Sequence, residues 1–294
     1  MENKPHKIDE SIRCNLNLGV LTRRGFIAAT TATLASCKAV SPLNPENVGK
    51  QTNTNYRTPY ASGSVPRNNI GNPSSNFPSS AGVTFSRVLV SGNYIAITFD
   101  DGPHPQNTPR LLDILAVRNV KATFYVIGRS VDLHPGVLRR TVAEGHEIGN
   151  HSHTHRLLSK LSSSEVRQEM QRCQEAVGRA AGVGMRTMRP PYGGLLQSQR
   201  ELVHSEFGYP TILWSVDPLD WKRPGPSVVT SRILAATTAG GIVLAHDLHS
   251  QTVDAMPATL DGLLRKGYNF VTVSQLIAMK IETPGAQASL TPTN

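Results

Sequence analysis

Cysteine is scarce in this 294-residue chain, with three in all. Cys14 and Cys37 fall within the first 37 residues, so Cys173 stands alone in the body of the chain and no disulfide framework is available. Cys173 shares a helical stripe with Val166, Met170 and Val177 and reads as core. Aromatic residues make up 5% and no basic run interleaves with them, which removes the usual signature of a nucleic-acid binder. Acids are outnumbered, 21 against 30 Lys and Arg, and the resulting charge of +9 suits an anionic surface or polymer. No apolar run reaches the ~20 residues that a membrane helix needs. The His-Glu-x-x-His helix of zinc proteases is missing too. Nothing marks an obligate protein partner.

What is present begins with a leader. Thr22-Arg23-Arg24-Gly25-Phe26-Ile27 is a twin-arginine pattern, followed by an acid-free apolar stretch to Ala35 that is too short to span a membrane. Leu34-Ala35-Ser36-Cys37 resembles a bacterial lipobox. Residues 1–37 are therefore expected to be a twin-arginine-type lipoprotein signal. Lipidated Cys37 would anchor an exported protein that faces the periplasm or cell wall. An ordinary cut near Ala35 is the alternative. Residues 38–82, rich in Ser, Asn, Pro, Gly and Thr, read as a flexible tether with a root-mean-square span of about 35 Å. Residues 283–294 read as a disordered tail.

Residues 83–282 alternate apolar strands with helical patterns. The strands expected are Tyr94–Phe99, Ala122–Val126, Glu147–Gly149, Thr187–Arg189, Thr211–Trp214, Gly241–His246 and Phe270–Val273. Helices are expected over Thr108–Arg118, opened by Thr108 as cap and Pro109 as first residue, and from the capping box Ser162-x-x-Glu165 to about Ala180. Two more are expected over Pro226–Ala239 and Met256–Lys266, with Gly267 closing the last. The alternation implies an α/β fold with a parallel sheet and helices outside. In such folds the chemistry sits at the strands' C-terminal ends, and the polar clusters of this chain fall there. Asp100-Asp101 is the first of them, and two adjacent acids at the end of a buried strand need a partner charge. His151 and His155, four apart, would share one face of a helical turn and suit a divalent metal.

Five ordered segments carry a resemblance. Thr98-Phe99-Asp100-Asp101-Gly102-Pro103, His151-Ser152-His153-Thr154-His155, Arg189-Pro190-Pro191-Tyr192-Gly193, Asp217-Pro218-Leu219-Asp220-Trp221 and Leu244-Ala245-His246-Asp247 resemble the motifs of the polysaccharide deacetylase family, carbohydrate esterase family 4. The resemblance runs from about Leu89 to Met279. It implies a distorted, incomplete (β/α) barrel of about seven parallel strands. It also implies a metal-dependent hydrolase that removes N-acetyl groups.

By that resemblance Asp101, His151 and His155 hold a divalent metal, with Zn²⁺ the best match to the donors and Co²⁺ an alternative. His153 and His104 stay outside the set. Asp100 is the general base and Arg189 its partner. His246 is the general acid. Asp220 is the candidate carboxylate behind it, with Asp217 as second choice. Tyr192 supplies a backbone N–H to the oxyanion. Trp221, Leu244, Tyr192 and Trp214 form either an apolar wall for the acetyl group and sugar or plain core. Arg156 and Ala245 depart from the family's frequent Pro and Leu without touching the chemistry. Location favours GlcNAc units of a cell-envelope polymer, above all peptidoglycan. Chitooligosaccharide, exopolysaccharide and acetylxylan are alternatives, and a non-catalytic glycan-binding lipoprotein is a remote one.

Overall fold

The computed structural model describes residues 84–281. The twin-arginine leader, Cys14, Cys37, the tether and the tail all lie outside those residues. Within them no helix is long and apolar enough to cross a membrane.

In chain order the elements are β1 Thr84–Phe85, β2 Tyr94–Asp100, α1 Asn107–Val117, β3 Thr123–Val126, α2 Gly128–Leu133, α3 Pro135–Ala143, β4 Glu147–Asn150 and α4 Ser163–Ala181. There follow α5 Gln197–Phe207, β5 Thr211–Ile212, α6 Pro226–Ala236, β6 Ile242–His246, α7 Ser250–Arg265, β7 Asn269–Phe270 and α8 Val273–Ala278. The strand pairings are parallel, in the order β4-β3-β2-β6, with β7 beside the start of β2 and β5 beside β1. Single bridges link Met188 to Asn150 and to Thr211, and Val216 to Val243, so the ring is carried round by isolated bridges where regular strands lapse. The fold is a distorted (β/α) barrel.

Alternation along the strands sorts side chains between two layers. Ile95, Ile97 and Phe99 of β2, Phe124 and Val126 of β3, and Val243 and Ala245 of β6 join the main apolar core with Leu111, Leu112, Val166, Met170 and Leu260 of the helices. Ala96, Tyr125 and Ile242 on the other face pack with Val273 and Leu276 of α8 in a small second cluster. Above that cluster the inward column continues as Thr98 and Asp100 on β2 and as Leu244 and His246 on β6, registered Thr98 to Leu244 and Asp100 to His246. The barrel interior thus changes from apolar to chemical along one sheet face.

Several expectations are corrected. Thr187–Arg189 makes one bridging residue rather than a strand, and the two-residue β1 was not expected. Thr211–Trp214 shortens to β5, because Ser215 and Val216 turn to Ile242 of β6, and Phe270–Val273 gives way to β7 at Asn269–Phe270, because Val273 begins α8. Helix α1 starts at Asn107, with Gln106 as its cap residue and Pro109 inside the first turn. His104 Nδ1 accepts from the backbone N–H groups of Gln106 and Asn107 at 3.2 and 3.1 Å, so the helix opens earlier than Thr108. Helix α7 also opens earlier and carries Pro257 within it. Helices α2, α3, α5 and α8 add to the four helices expected from the sequence. The capping box does form: Ser162 Oγ accepts from Glu165 N–H, and Glu165 accepts from Ser162 N–H.

Candidate active site

Asp100 closes β2 facing inward and is buried. Its Oδ1 accepts from Arg189 Nη1 at 2.8 Å. Arg189 is fully buried, yet every group around its guanidinium answers it. Nη1 also donates to Thr98 Oγ1 at 2.6 Å, Nη2 to Leu213 O at 3.1 Å and Nε to Ile212 O at 3.3 Å. The Tyr125 ring lies under the cation at 4.3 Å from its centroid. Burying a paired charge is tolerable only when its hydrogen bonds are met this fully. Arg189 is therefore the expected partner of Asp100. Sequence reading missed Thr98, which relays the contact by donating to Val243 O at 2.6 Å.

Asp101 lies just beyond the strand with φ 77°, a left-handed value uncommon for a residue with a side chain. Strand alternation would send it outward, and the left-handed turn brings it back to the barrel mouth. Its Oδ1 lies 3.3 Å from His151 Nε2 and 3.1 Å from His155 Nε2. One ligand atom from each of the three residues falls within 4.8 Å of the others. Asp101 Oδ1 is buried and has no hydrogen-bond partner. His151 Nδ1 lies 2.7 Å from Arg189 O and is the ring's donor there, so its Nε2 lone pair is free to bind a cation. Two imidazole nitrogens and an orphaned carboxylate oxygen fit a divalent ion such as Zn²⁺. Burial works against the Asp101 carboxylate, but when the imidazoles of His151 and His155 are protonated their charge and hydrogen bonds outweigh it and hold its pKa far below the usual range.

The histidines do not share a helical face, as their spacing suggested. Residues 151–157 are loop, with Ser152 at φ 64° and His155 at φ 59°. The loop is held by groups that sequence reading missed. Asn150 Oδ1 accepts from Ser152 N–H at 2.9 Å, and Ser152 Oγ from His155 N–H at 3.0 Å. Buried Glu169 accepts from the N–H groups of His153 and Thr154 at 2.9 and 2.7 Å. A carboxylate on the apolar stripe of α4, between Val166 and Met170, was the available signal for Glu169. His153 and His104 lie outside the ligand cluster.

Opposite Asp100, His246 ends β6. Its Nδ1 lies 2.8 Å from Asp220 Oδ1, and its backbone N–H donates to Asp220 Oδ2 at 2.8 Å. Thr252 Oγ1 donates to the same Oδ2 at 2.8 Å. The geometry thus chooses Asp220 over Asp217, which is exposed and accepts from Leu219 N–H at 2.8 Å. Burial alone would lower the His246 pKa. The hydrogen bond and charge of Asp220 reverse that and raise it to about 9. Asp247, next in the chain, is fully buried, and that burial pushes its pKa up to about 7.

Tyr192 stands at φ 59° after two prolines, 70% exposed, with its ring edge-on to His155 at 4.7 Å. Trp221 is half exposed with Lys222 Nζ 4.9 Å from its ring centroid, whereas Leu244 is buried on the inward face. Tyr192 and Trp221 are thus accessible, and Leu244 is part of the core. Among the described residues seven non-glycine residues have positive φ, and six of them are Asp101, Ser152, His155, Tyr192, Leu219 and Arg223. All six sit in loops after strands or next to the catalytic motifs, so the backbone strain is concentrated where the site needs a fixed shape. A groove of about 700 Å³ between α6 and α7 contains none of these residues.

A family model described as polysaccharide deacetylase matches residues 89–212. The chain is 40% identical over 198 residues to a chitooligosaccharide deacetylase of Bradyrhizobium, covering 62% of this chain and 90% of that one. The chain belongs to the polysaccharide deacetylase family. The family's peptidoglycan-N-acetylglucosamine deacetylase PgdA of Listeria monocytogenes is 43% identical over 205 residues, covering 70% of this chain. The match spans only 43% of that Listeria protein's length. A solved peptidoglycan N-acetylglucosamine deacetylase, crystallised with a hydroxamate-type benzamide, superposes with a TM-score of 0.64 at 33% identity, covering 68% of this chain and 95% of that one.

Proposed function

We propose that this chain hydrolyses N-acetyl groups from GlcNAc units of a cell-envelope polymer, with peptidoglycan as the leading substrate. One observation carries the reading: a carboxylate with a permanent cationic partner and an imidazolium stand on adjacent strands beside one ligand cluster. Asp101, His151 and His155 would hold the divalent ion, which when bound polarises the acetyl carbonyl and acidifies water. Asp100 accepts the proton of the attacking water, its carboxylate kept in place by Arg189 and Thr98. The Tyr192 backbone N–H faces the oxyanion as oxygen charge develops. As the C–N bond breaks, His246 gives its Nε2 proton to the departing amine. Asp220 makes this feasible, because a pKa of about 9 leaves the imidazole protonated at neutral pH. Acetate and the free amine are the products.

The positive charge, the leader and the peptidoglycan-directed names of relatives support an envelope polymer. Export and an anchor at Cys37 are read from residues 1–37 alone. The deciding experiment is acetate release from peptidoglycan, chitotetraose and acetylxylan with Zn²⁺ or Co²⁺ added. Release from peptidoglycan well above the other two is expected. Release from acetylxylan alone would make the chain an esterase, and binding of a glycan that persists with no acetate release from the metal-loaded protein would favour a glycan-binding protein.

A further inference from the structure

We propose that Asp247 and Thr108 are a positioning pair that locks the loop carrying Asp101 to the strand end carrying His246. The proposal rests on the reading above for the reaction it serves. Asp247 is fully buried, and its Oδ2 accepts from Thr108 Oγ1. Thr108 Oγ1 in turn accepts from His104 N–H at 2.8 Å, so its one proton is committed to Asp247. A second tie runs parallel, from Asn107 Nδ2 to Leu248 O at 2.9 Å. Asn107 and Thr108 are the first two residues of α1, and His104 meets the N–H groups that their side chains leave alone.

The carboxylate also bears on the metal-side turn directly. A Cβ placed on Gly102 would lie 2.7 Å from both carboxylate oxygens of Asp247. The residue after Asp101 must therefore lack a side chain, and the turn seats against Asp247. Among the described residues Asp247 makes no salt bridge, and its Oδ1 has no hydrogen-bond partner. Burying a carboxylate oxygen without a partner costs stability, so its place in the fold calls for another reason. Here it stands between the adjoining acid, His246, and the turn of the ligand Asp101. Asp220 fixes how the His246 ring is turned. Asp247 fixes where the strand end that carries it lies relative to Asp101.

The test compares Asp247→Ala, Thr108→Val and Asp247→Asn in the zinc-loaded protein on an N-acetylated glycan and on an acetate ester. An amide leaving group needs the acid and an ester much less. In Asp247→Ala, kcat on the amide should fall at least about tenfold with KM little changed, while kcat on the ester falls less than about threefold. Asp247→Asn keeps an acceptor for Thr108 and should recover most of the loss. The His246 titration, followed by NMR, should move in Asp247→Ala and return in Asp247→Asn. Equal losses on amide and ester, or no recovery in Asp247→Asn, would overturn the proposal. If Asp247→Ala does not fold, Thr108→Val decides by the same ratio. Should the parent release no acetate from the amide, the proposed function fails, and the His246 titration still judges the pair.

Discussion

Replacing Asp220 by Asn tests the acid half of the site on its own. The substitution keeps the volume and one acceptor but removes the charge next to His246. In the parent that charge and hydrogen bond lift the imidazole from 6.5 to about 9 against the opposing effect of burial. The lift is worth ~3 kcal/mol of preference for the imidazolium. At pH about 7.5 the parent ring is then roughly 97% protonated. Without the Asp220 charge only the Asp100 and Asp101 charges still oppose burial, and the pKa falls from about 9 toward its ordinary value of 6.5, at which about a tenth of the rings would be protonated. Amide kcat at that pH should fall about tenfold from acid availability alone, and the loss should shrink as the pH is lowered through about 6. The assay is kcat for an N-acetylated oligosaccharide across pH about 5.5 to 10 at saturating zinc. The parent's basic limb should lie near 9 and the variant's well below it, toward 6.5. A loss of the same size at every pH would refute the reasoning, and so would a parent basic limb below about 7.5. Linkage adds a check on stability. His246 is raised in the fold, so its contribution is whole below about 6.5 and fades as pH rises through about 9. The stability gap between parent and variant in urea unfolding should narrow over that range.

Three further outcomes follow from the same geometry. Asp100→Asn should retain zinc and lose nearly all turnover. Asp100→Ala should in addition lose about 3 kcal/mol of stability, because it strands the buried Arg189 cation, and chemical unfolding of both variants would register the difference. His151→Ala removes one of the three proposed ligands, and calorimetry should find zinc affinity down by at least about a hundredfold, whereas His153→Ala should leave it within about threefold. Cys37→Ala should move the full-length protein from the membrane fraction to the soluble fraction, and unchanged partitioning would remove the lipid anchor from the account.

Much of the site was legible because its residues sit where local pattern puts them. The β2 run Tyr94–Phe99 is apolar and short, so a strand was expected, and its polar end had to be a mouth. The box Ser162-x-x-Glu165 is a purely local device, and it formed as read. Loops were less legible. The His151–His155 spacing suggested a helical turn, but the segment is held open by Asn150, Ser152 and Glu169. Two of those bonds are local, whereas the Glu169 contact comes from α4 and has no trace in the loop's own residues. Helix α7 began before Pro257 because its first turns are fixed by packing, which a proline can interrupt without ending.

The sequence by itself determined the inventory: two acids at a strand end, two histidines four apart, an Arg-Pro-Pro-Tyr run, and a histidine closing a second strand. Their order along the chain carried the family resemblance. Tertiary structure decided the assignments. It chose Asp220 over Asp217, turned Asp101 back into the mouth through a left-handed backbone, and set Arg189 against Asp100 from 89 residues away. It also brought Asp247 and Thr108 together across 139 residues. The division has a simple physical cause. Residue types and periodicity act within a few positions, whereas which carboxylate meets which cation depends on barrel register and on turns that the neighbouring elements impose.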